Sequence, residues 1–283
     1  MSEYQYYEWL ALDTLLTDAQ VGAVERLSSH MDVVTEAQAV VTYSYGDFKH
    51  DPLKVLVNYF DAFLYAANWG ARTLAFRFPK SLLTKKALSP YLLEDVIELK
   101  IVDSHWVLSL KSGDEGGGDW VEAEGMLNRM ADIRRQISNR DYRALYLLWL
   151  AETKRRASWD DGDDDDDIEG SSQCEAPPAP AGLKSLGASL SAFCGFFEID
   201  RQLVSTAAKD NPAPTARPMT RAKLKLAVAA LSRETANDYL LRLLSDEPQL
   251  GAKLRQQLDQ ESSATPTGER RVKRAGTARK RGA

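Results

Sequence analysis

The composition of the chain changes abruptly between residues 158 and 182, and this change constrains the fold more than any other feature. The run DDGDDDDDIE at residues 160–169 carries eight carboxylates and no base, and EAPPAPAG follows at residues 175–182. A segment of this composition buries too little apolar surface to offset the entropy of ordering its backbone. We therefore predict a disordered linker at 158–182.

The end of the chain has the opposite charge. Residues 269–283 carry seven bases and one acid, whereas the whole chain has a formal net charge of −5. Without this segment and the acidic run, whose net charges are +6 and −8, the remaining residues carry only −3. The average charge therefore says little about partners. We predict a disordered basic tail at 262–283.

The residues before the linker predict an α+β domain at 1–157. Runs rich in aromatic and β-branched residues, several of them alternating, predict strands at 4–12, 39–45 and 72–78 and a hairpin of 95–102 with 105–111. Helical periodicity predicts one long helix or a pair of helices at 122–157. We expect a small mixed or antiparallel sheet with helices packed on it.

Two capping signals place helices between the predicted strands. Thr17 and Gln20 have the spacing of a capping box. Asp51 followed by Pro52 predicts a second helix start, and apolar residues at helical spacing extend that helix to Ala67, before Gly70.

The chain beyond the linker predicts an all-helical region at 183–261. Residues 183–209 form one apolar helical pattern, and a second extends from Thr220 to Leu258 with a bend at Pro248.

The sequence indicates a cytoplasmic protein without cofactor or metal. At 44% apolar and 27% charged residues, the composition is that of a globular protein. The amino terminus does not resemble a signal peptide, and no apolar run has the length of a membrane span. No phosphate-binding glycine motif occurs, and the three histidines and two cysteines lack metal-ligand spacing. Cys194, among phenylalanines, is expected to be a buried and unreactive thiol.

The stretch GDFKHD contains the candidate catalytic residues Asp47, His50 and Asp51. A carboxylate beside a histidine can act in general acid–base catalysis. The alternative is structural, with Asp51 as a helix cap and His50 as a solvated loop residue. We favour the structural alternative.

The predicted strand at 72–78, with its alternating apolar residues, allows a second functional alternative, which is RNA binding. Phe76 and Phe78 could stack on RNA bases if one face of the sheet were open. An aromatic sheet face is more often a core face covered by helices, and the segment 122–157 could supply that cover.

The basic tail is the candidate nucleic-acid contact. Its bases would neutralise phosphates without regard to sequence. They could instead pair with the acidic run, which would then compete with nucleic acid. The candidate residues are Arg270, Arg271, Lys273, Arg274, Arg279, Lys280 and Arg281.

The amino-terminal half resembles a family of uncharacterised bacterial proteins. Three stretches carry this resemblance: MSEYQYYEWLALD at the start, YGDFKHD at 45–51 and NYFDAFLYAANWG at 58–70. The resemblance implies no activity or site residues, and it points to a SWIM-type zinc-finger protein as a candidate partner.

Together these observations predict a non-catalytic interaction or adaptor protein with an auxiliary nucleic-acid contact through its tail. The alternatives are an enzyme that uses the region of Asp47, His50 and Asp51, and an RNA-binding sheet face around Phe76 and Phe78. An apolar patch on the carboxy-terminal helices would favour the adaptor.

Overall fold

The computed structural model of the protein describes residues 4–113, 122–160, 176–209, 211–212 and 221–245, and residues 250, 254 and 258. The strands are β1 (Gln5–Leu10), β2 (Met31–Val34), β3 (Gln38–Tyr43), β4 (Ala62–Ala67), β5 (Arg72–Pro79), β6 (Ile97–Val102) and β7 (His105–Ser112). The helices are α1 (Asp18–Glu25), α2 (Pro52–Tyr59), α3 (Lys85–Leu88), α4 (Met126–Met130), α5 (Asp132–Ser138), α6 (Arg143–Asp160), α7 (Ala188–Phe196), α8 (Arg201–Ala208), α9 (Arg221–Ala230) and α10 (Arg233–Leu244). A short 3-10 helix at Ser89–Tyr91 follows α3.

The strands form one antiparallel sheet in the order β2-β3-β1-β4-β5-β7-β6. The predicted hairpin is confirmed, because β6 pairs with β7 from Val102 opposite His105 to Ile97 opposite Leu110. Its turn places Asp103 in the left-handed region, at a φ of 51°. The α+β class predicted from the sequence is thus confirmed.

Helices cover the sheet on both faces, which explains why all six residues of β1 are buried. Tyr6 and Leu10 lie in a core shared with α4–α8, and Tyr7 and Trp9 lie in a second core shared with α1 and α2. Successive side chains of a strand point to opposite faces, so a strand that lies between two cores is buried on both faces.

The helix predicted to extend from Asp51 to Ala67 is wrong in its second half. It begins as expected, because the Asp51 carboxylate accepts the backbone N–H of Leu53 at 2.9 Å and Pro52 opens the helix. It ends at Tyr59, and Ala62–Ala67 is a central strand. Pairing with β1 on one side and β5 on the other satisfies the backbone of β4, and this tertiary pairing outweighs the helical spacing of its apolar side chains.

The helices beyond the linker complete the core of the sheet. The side chains of Phe193, Phe196 and Phe197 are fully buried in the same apolar cluster as Phe76 of β5. Among the described residues, the segments before and after the linker therefore share a core, whereas the sequence suggested two separate parts.

The described end of the predicted linker is held against the fold. The Tyr91 hydroxyl donates to the Pro178 carbonyl at 2.9 Å, and the Asn211 Nδ2 donates to the Pro180 carbonyl at 2.9 Å. Residues 176–182 thus differ from the prediction of disorder, because these hydrogen bonds offset part of the entropy of ordering the chain. The acidic run lies outside the described residues.

A buried ion cluster links the ends of β1, β4 and β5 to α5. The Asp61 carboxylate accepts the backbone N–H groups of Leu12 and Asp13 at 2.8 and 2.9 Å, and it also accepts Arg77 Nη2 at 2.6 Å. Arg134 donates to Asp61 at 3.3 Å and to both carboxylate oxygens of Asp13. Burial alone would raise the pKa of Asp61, but the Arg134 and Arg77 guanidiniums outweigh it and hold that pKa below its usual value.

Candidate interaction surface

The candidate catalytic residues Asp47, His50 and Asp51 each have a local role or an exposed position. Asp47 Oδ1 accepts the Nε2 group of Gln5 at 2.8 Å, which fixes the loop against β1. Asp51 is the cap of α2, and the exposed His50 ring lies beside Phe48 with 5.6 Å between ring centres. None of the three lines the cavity of about 420 Å³ beside β5, β7 and α6 or the cavity of about 610 Å³ beside α7 and α8. An enzyme at this place stays a prediction without geometric support.

The sheet face around Phe76 and Phe78 is closed. Both rings have no solvent exposure and lie under the helices that follow the sheet. The guanidinium of Arg134, on α5, lies 5.4 Å from the centre of the Phe78 ring. Bases cannot stack on rings that are already covered, so this structure does not offer the open face that the RNA alternative requires.

The seven basic residues of the predicted nucleic-acid contact lie outside the described residues, as does Cys174. Cys194 is described, and it lines a cavity of about 610 Å³ between α7 and α8. Burial raises the pKa of its thiol to about 11, so the thiol stays protonated at neutral pH.

The largest group of exposed apolar side chains on one described helix lies on α10. Leu240, Leu241, Leu243 and Leu244 are 56%, 65%, 60% and 81% exposed. Residues three and four positions apart lie on one side of a helix, so these four side chains form a continuous patch, here called the leucine face. Leu226 and Val228 of α9, the preceding helix in the chain, are also exposed.

Polar interactions fix α10 at its first turn and on the side opposite the leucine face. The Ser232 side chain accepts the backbone N–H of Thr235 at 3.0 Å and so caps the helix. Arg242 bonds Asp238 at 3.3 Å and lies 4.8 Å from the ring centre of Tyr239, which is buried. The helix is therefore amphipathic, with its leucine face towards solvent.

The sequence predicted a helix here but not which side of it is exposed. The spacing of Leu240, Leu243 and Leu244 was the available signal, and it is also the spacing of a core-facing stripe. Only the tertiary structure shows that these leucines do not face the sheet.

Two classes of site find no support in the described part of the chain. No group of three or more potential metal ligands occurs there. No helix in the same residues is long and apolar enough to span a membrane.

Comparisons with protein-family models, with curated proteins and with solved structures found no match for the chain.

Proposed function

We propose that the chain is a non-catalytic interaction protein of the cytoplasm, with the leucine face of α10 as its docking element. The observation that carries this proposal is the exposure of four neighbouring leucines on one capped helix. Soluble chains seldom expose contiguous apolar side chains without a binding role.

The chemistry of the leucine face defines the partner that it fits. An amphipathic helix binds by laying its apolar side chains into an apolar groove of another protein. Together the four leucines expose the equivalent of between two and three complete side chains. Their burial would contribute roughly 4–8 kcal/mol before the cost of association is subtracted. The affinity of this contact alone is therefore weak, and polar contacts at the rim must add to it.

The basic tail supplies the second part of the proposal. Its seven bases would contact nucleic-acid phosphates without sequence preference while α10 holds a protein partner. The resemblance of the amino-terminal half makes a SWIM-type zinc-finger protein the first partner to assay.

Photo-crosslinking of the full chain tests the docking element. A photoreactive amino acid at position 244 should form an adduct with a partner protein in cells, and one at exposed position 202 on α8 should not. Equal adducts at both positions, or none at 244, would contradict the proposal. An adduct between two copies of the chain would mean that the leucine face mediates self-association and does not bind a separate partner.

Binding of the crosslinked protein, once purified, then tests the chemistry. Leu240→Gln with Leu244→Gln should abolish binding, because glutamine keeps the helix propensity and removes the apolar surface. Leu240→Met with Leu244→Met is the matched control and should bind like the natural chain. Unchanged binding of the glutamine variant would show that the leucine face is not the docking element.

A further inference from the structure

The cavity between α7 and α8 combines an apolar wall with a basic opening. Its volume is about 610 Å³, and sites for small molecules commonly have roughly 300–1,000 Å³. The segment just before α7 adds further lining residues. The proposed function does not use this cavity, so its lining has to be explained separately.

The wall of the cavity is apolar surface that the fold leaves partly open to water. Leu186, Cys194 and Val204 are only partly buried, although each also packs against the large core of the sheet. The Cys194 thiol is protonated at neutral pH and therefore adds to the apolar surface. A ligand with an apolar body would remove this surface from water, which favours its binding. The apolar lining consists of Leu183, Leu186, Cys194, Ile199, Val204 and Ala208.

Three cations line the same cavity, and no carboxylate among the described residues does. They are Lys184, Arg201 and Lys209, and all three are exposed, so they lie at the opening. None of them forms an ion pair with a residue in the described part of the chain. Their hydrogen-bond donors are therefore available to an anion.

The carboxylates on either side of Ile199 in sequence bond cations outside the cavity. Glu198 bonds Arg72 at 2.6 Å, and the Asp200 carboxylate lies 3.7 Å from Lys154 Nζ. Each pair is neutral as a unit, so neither reduces the charge of +3 that the lining carries.

The charge at the opening stays positive when the next acid in sequence is counted. Asp210 follows Lys209 and lies outside the described residues. If its charge is subtracted, the lining still carries +2, whereas the whole chain carries −5.

We propose that this cavity binds a fatty acid in its carboxylate form. The alkyl chain would lie against the apolar wall, and the carboxylate would accept charged hydrogen bonds from the cations at the opening. An inorganic anion would leave the wall wet, and a neutral lipid would leave the cations without a partner. The site does not include the leucine face, so neither proposal depends on the other.

Binding of octanoate to the full chain, measured by calorimetry below the concentration at which octanoate forms micelles, tests the proposal. Saturable binding is expected, and it should be at least tenfold weaker for butyrate, which has the same carboxylate but four fewer carbons. It should also be at least tenfold weaker for 1-octanol, which has the chain without the charge. Absent octanoate binding would overturn the site, and equal binding of either comparison compound would overturn its assignment to a fatty acid.

Matched variants locate the site on the chain. Lys184→Gln and Arg201→Gln should each weaken octanoate binding at least about threefold, because each removes a charged contact with the carboxylate. Lys80→Gln and Arg129→Gln are the controls, since both side chains are exposed and neither lines the cavity. Equal losses in variants and controls would show that octanoate binds elsewhere.

The thiol in the wall gives a second measurement of where octanoate binds. In a Cys174→Ser chain, Cys194 is the only thiol, because the chain has two cysteines. Its reaction with a maleimide, followed at mildly alkaline pH, should become at least fivefold slower in saturating octanoate and stay unchanged in butyrate. An unchanged rate in saturating octanoate would contradict binding in this cavity.

Discussion

Replacement of Asp61 by asparagine should destabilise the fold strongly. The Asp61 side chain is 1% exposed, and its carboxylate accepts two backbone N–H groups as well as Arg77 and Arg134. In either orientation, the NH2 group of the asparagine amide would face other N–H donors. The guanidiniums of Arg77 and Arg134 would also lose the negative charge of the carboxylate. Loss of one member of a buried ion pair costs about 3–5 kcal/mol. Because Arg134 keeps its two bonds to Asp13, we expect about 3 kcal/mol.

Urea unfolding of the full chain at pH 7 measures this loss, with Asp132→Asn as the control. Asp132 pairs with Arg135 on the surface of α5, and both side chains are about half exposed, so its replacement should cost less than about 1 kcal/mol. A cost for Asp61→Asn that is no larger than that of the control would refute the assignment of a structural ion cluster.

The pH dependence gives an independent check of the same cluster. The folded pKa of Asp61 lies below its usual value, so the unfolded chain takes up the proton first as the pH falls. The stability that the charged carboxylate contributes is complete above about pH 4 and is lost as the pH falls through the folded pKa. The free energy of unfolding of the natural chain should therefore approach that of Asp61→Asn only in strong acid.

Two further predictions concern a buried carboxyl and the tail. Burial raises the pKa of Glu8 above its ordinary value, so stability should fall as the pH rises from about 4.5 through the folded pKa. Glu8→Gln should remove that fall in a series of melting temperatures between pH 4 and 8, and a natural chain that gains stability over this range relative to the variant would contradict it. Fluorescence anisotropy with DNA and RNA across a salt series should show steep, salt-sensitive binding by the full chain and none by a chain that ends at Ser262. Equal binding by both chains would remove the tail from the proposed function.

Local features of the fold could be predicted from the sequence because they depend on few neighbouring residues. The capping box at Thr17 forms as expected, with the Gln20 side chain bonding the Thr17 backbone N–H at 2.9 Å. The Asp51 cap and the β6–β7 hairpin are also local. In each case the residues that stabilise the structure lie within a few positions of one another.

The remaining features depend on contacts between distant parts of the chain. Strand β4 has helical spacing in sequence, and only its two neighbouring strands decide its conformation. The short edge strand β2 went unpredicted, since its four residues form a strand by pairing with β3. The buried ion cluster brings together Asp13, Asp61 and Arg134 from distant parts of the chain, and no spacing in the sequence could have linked them.

The position of α7 in the core has a consequence for the order in which the chain folds during synthesis. The sheet is complete once β7 has been made, at Ser112, but Phe193, Phe196 and Phe197 are made some eighty residues later. Until then the face that holds Phe76 lacks part of its cover, and nascent apolar surface of this kind attracts chaperones and other unfinished chains. Ribosome-bound chains that end near the acidic run should therefore be the most dependent on chaperones, and release should follow the emergence of α7.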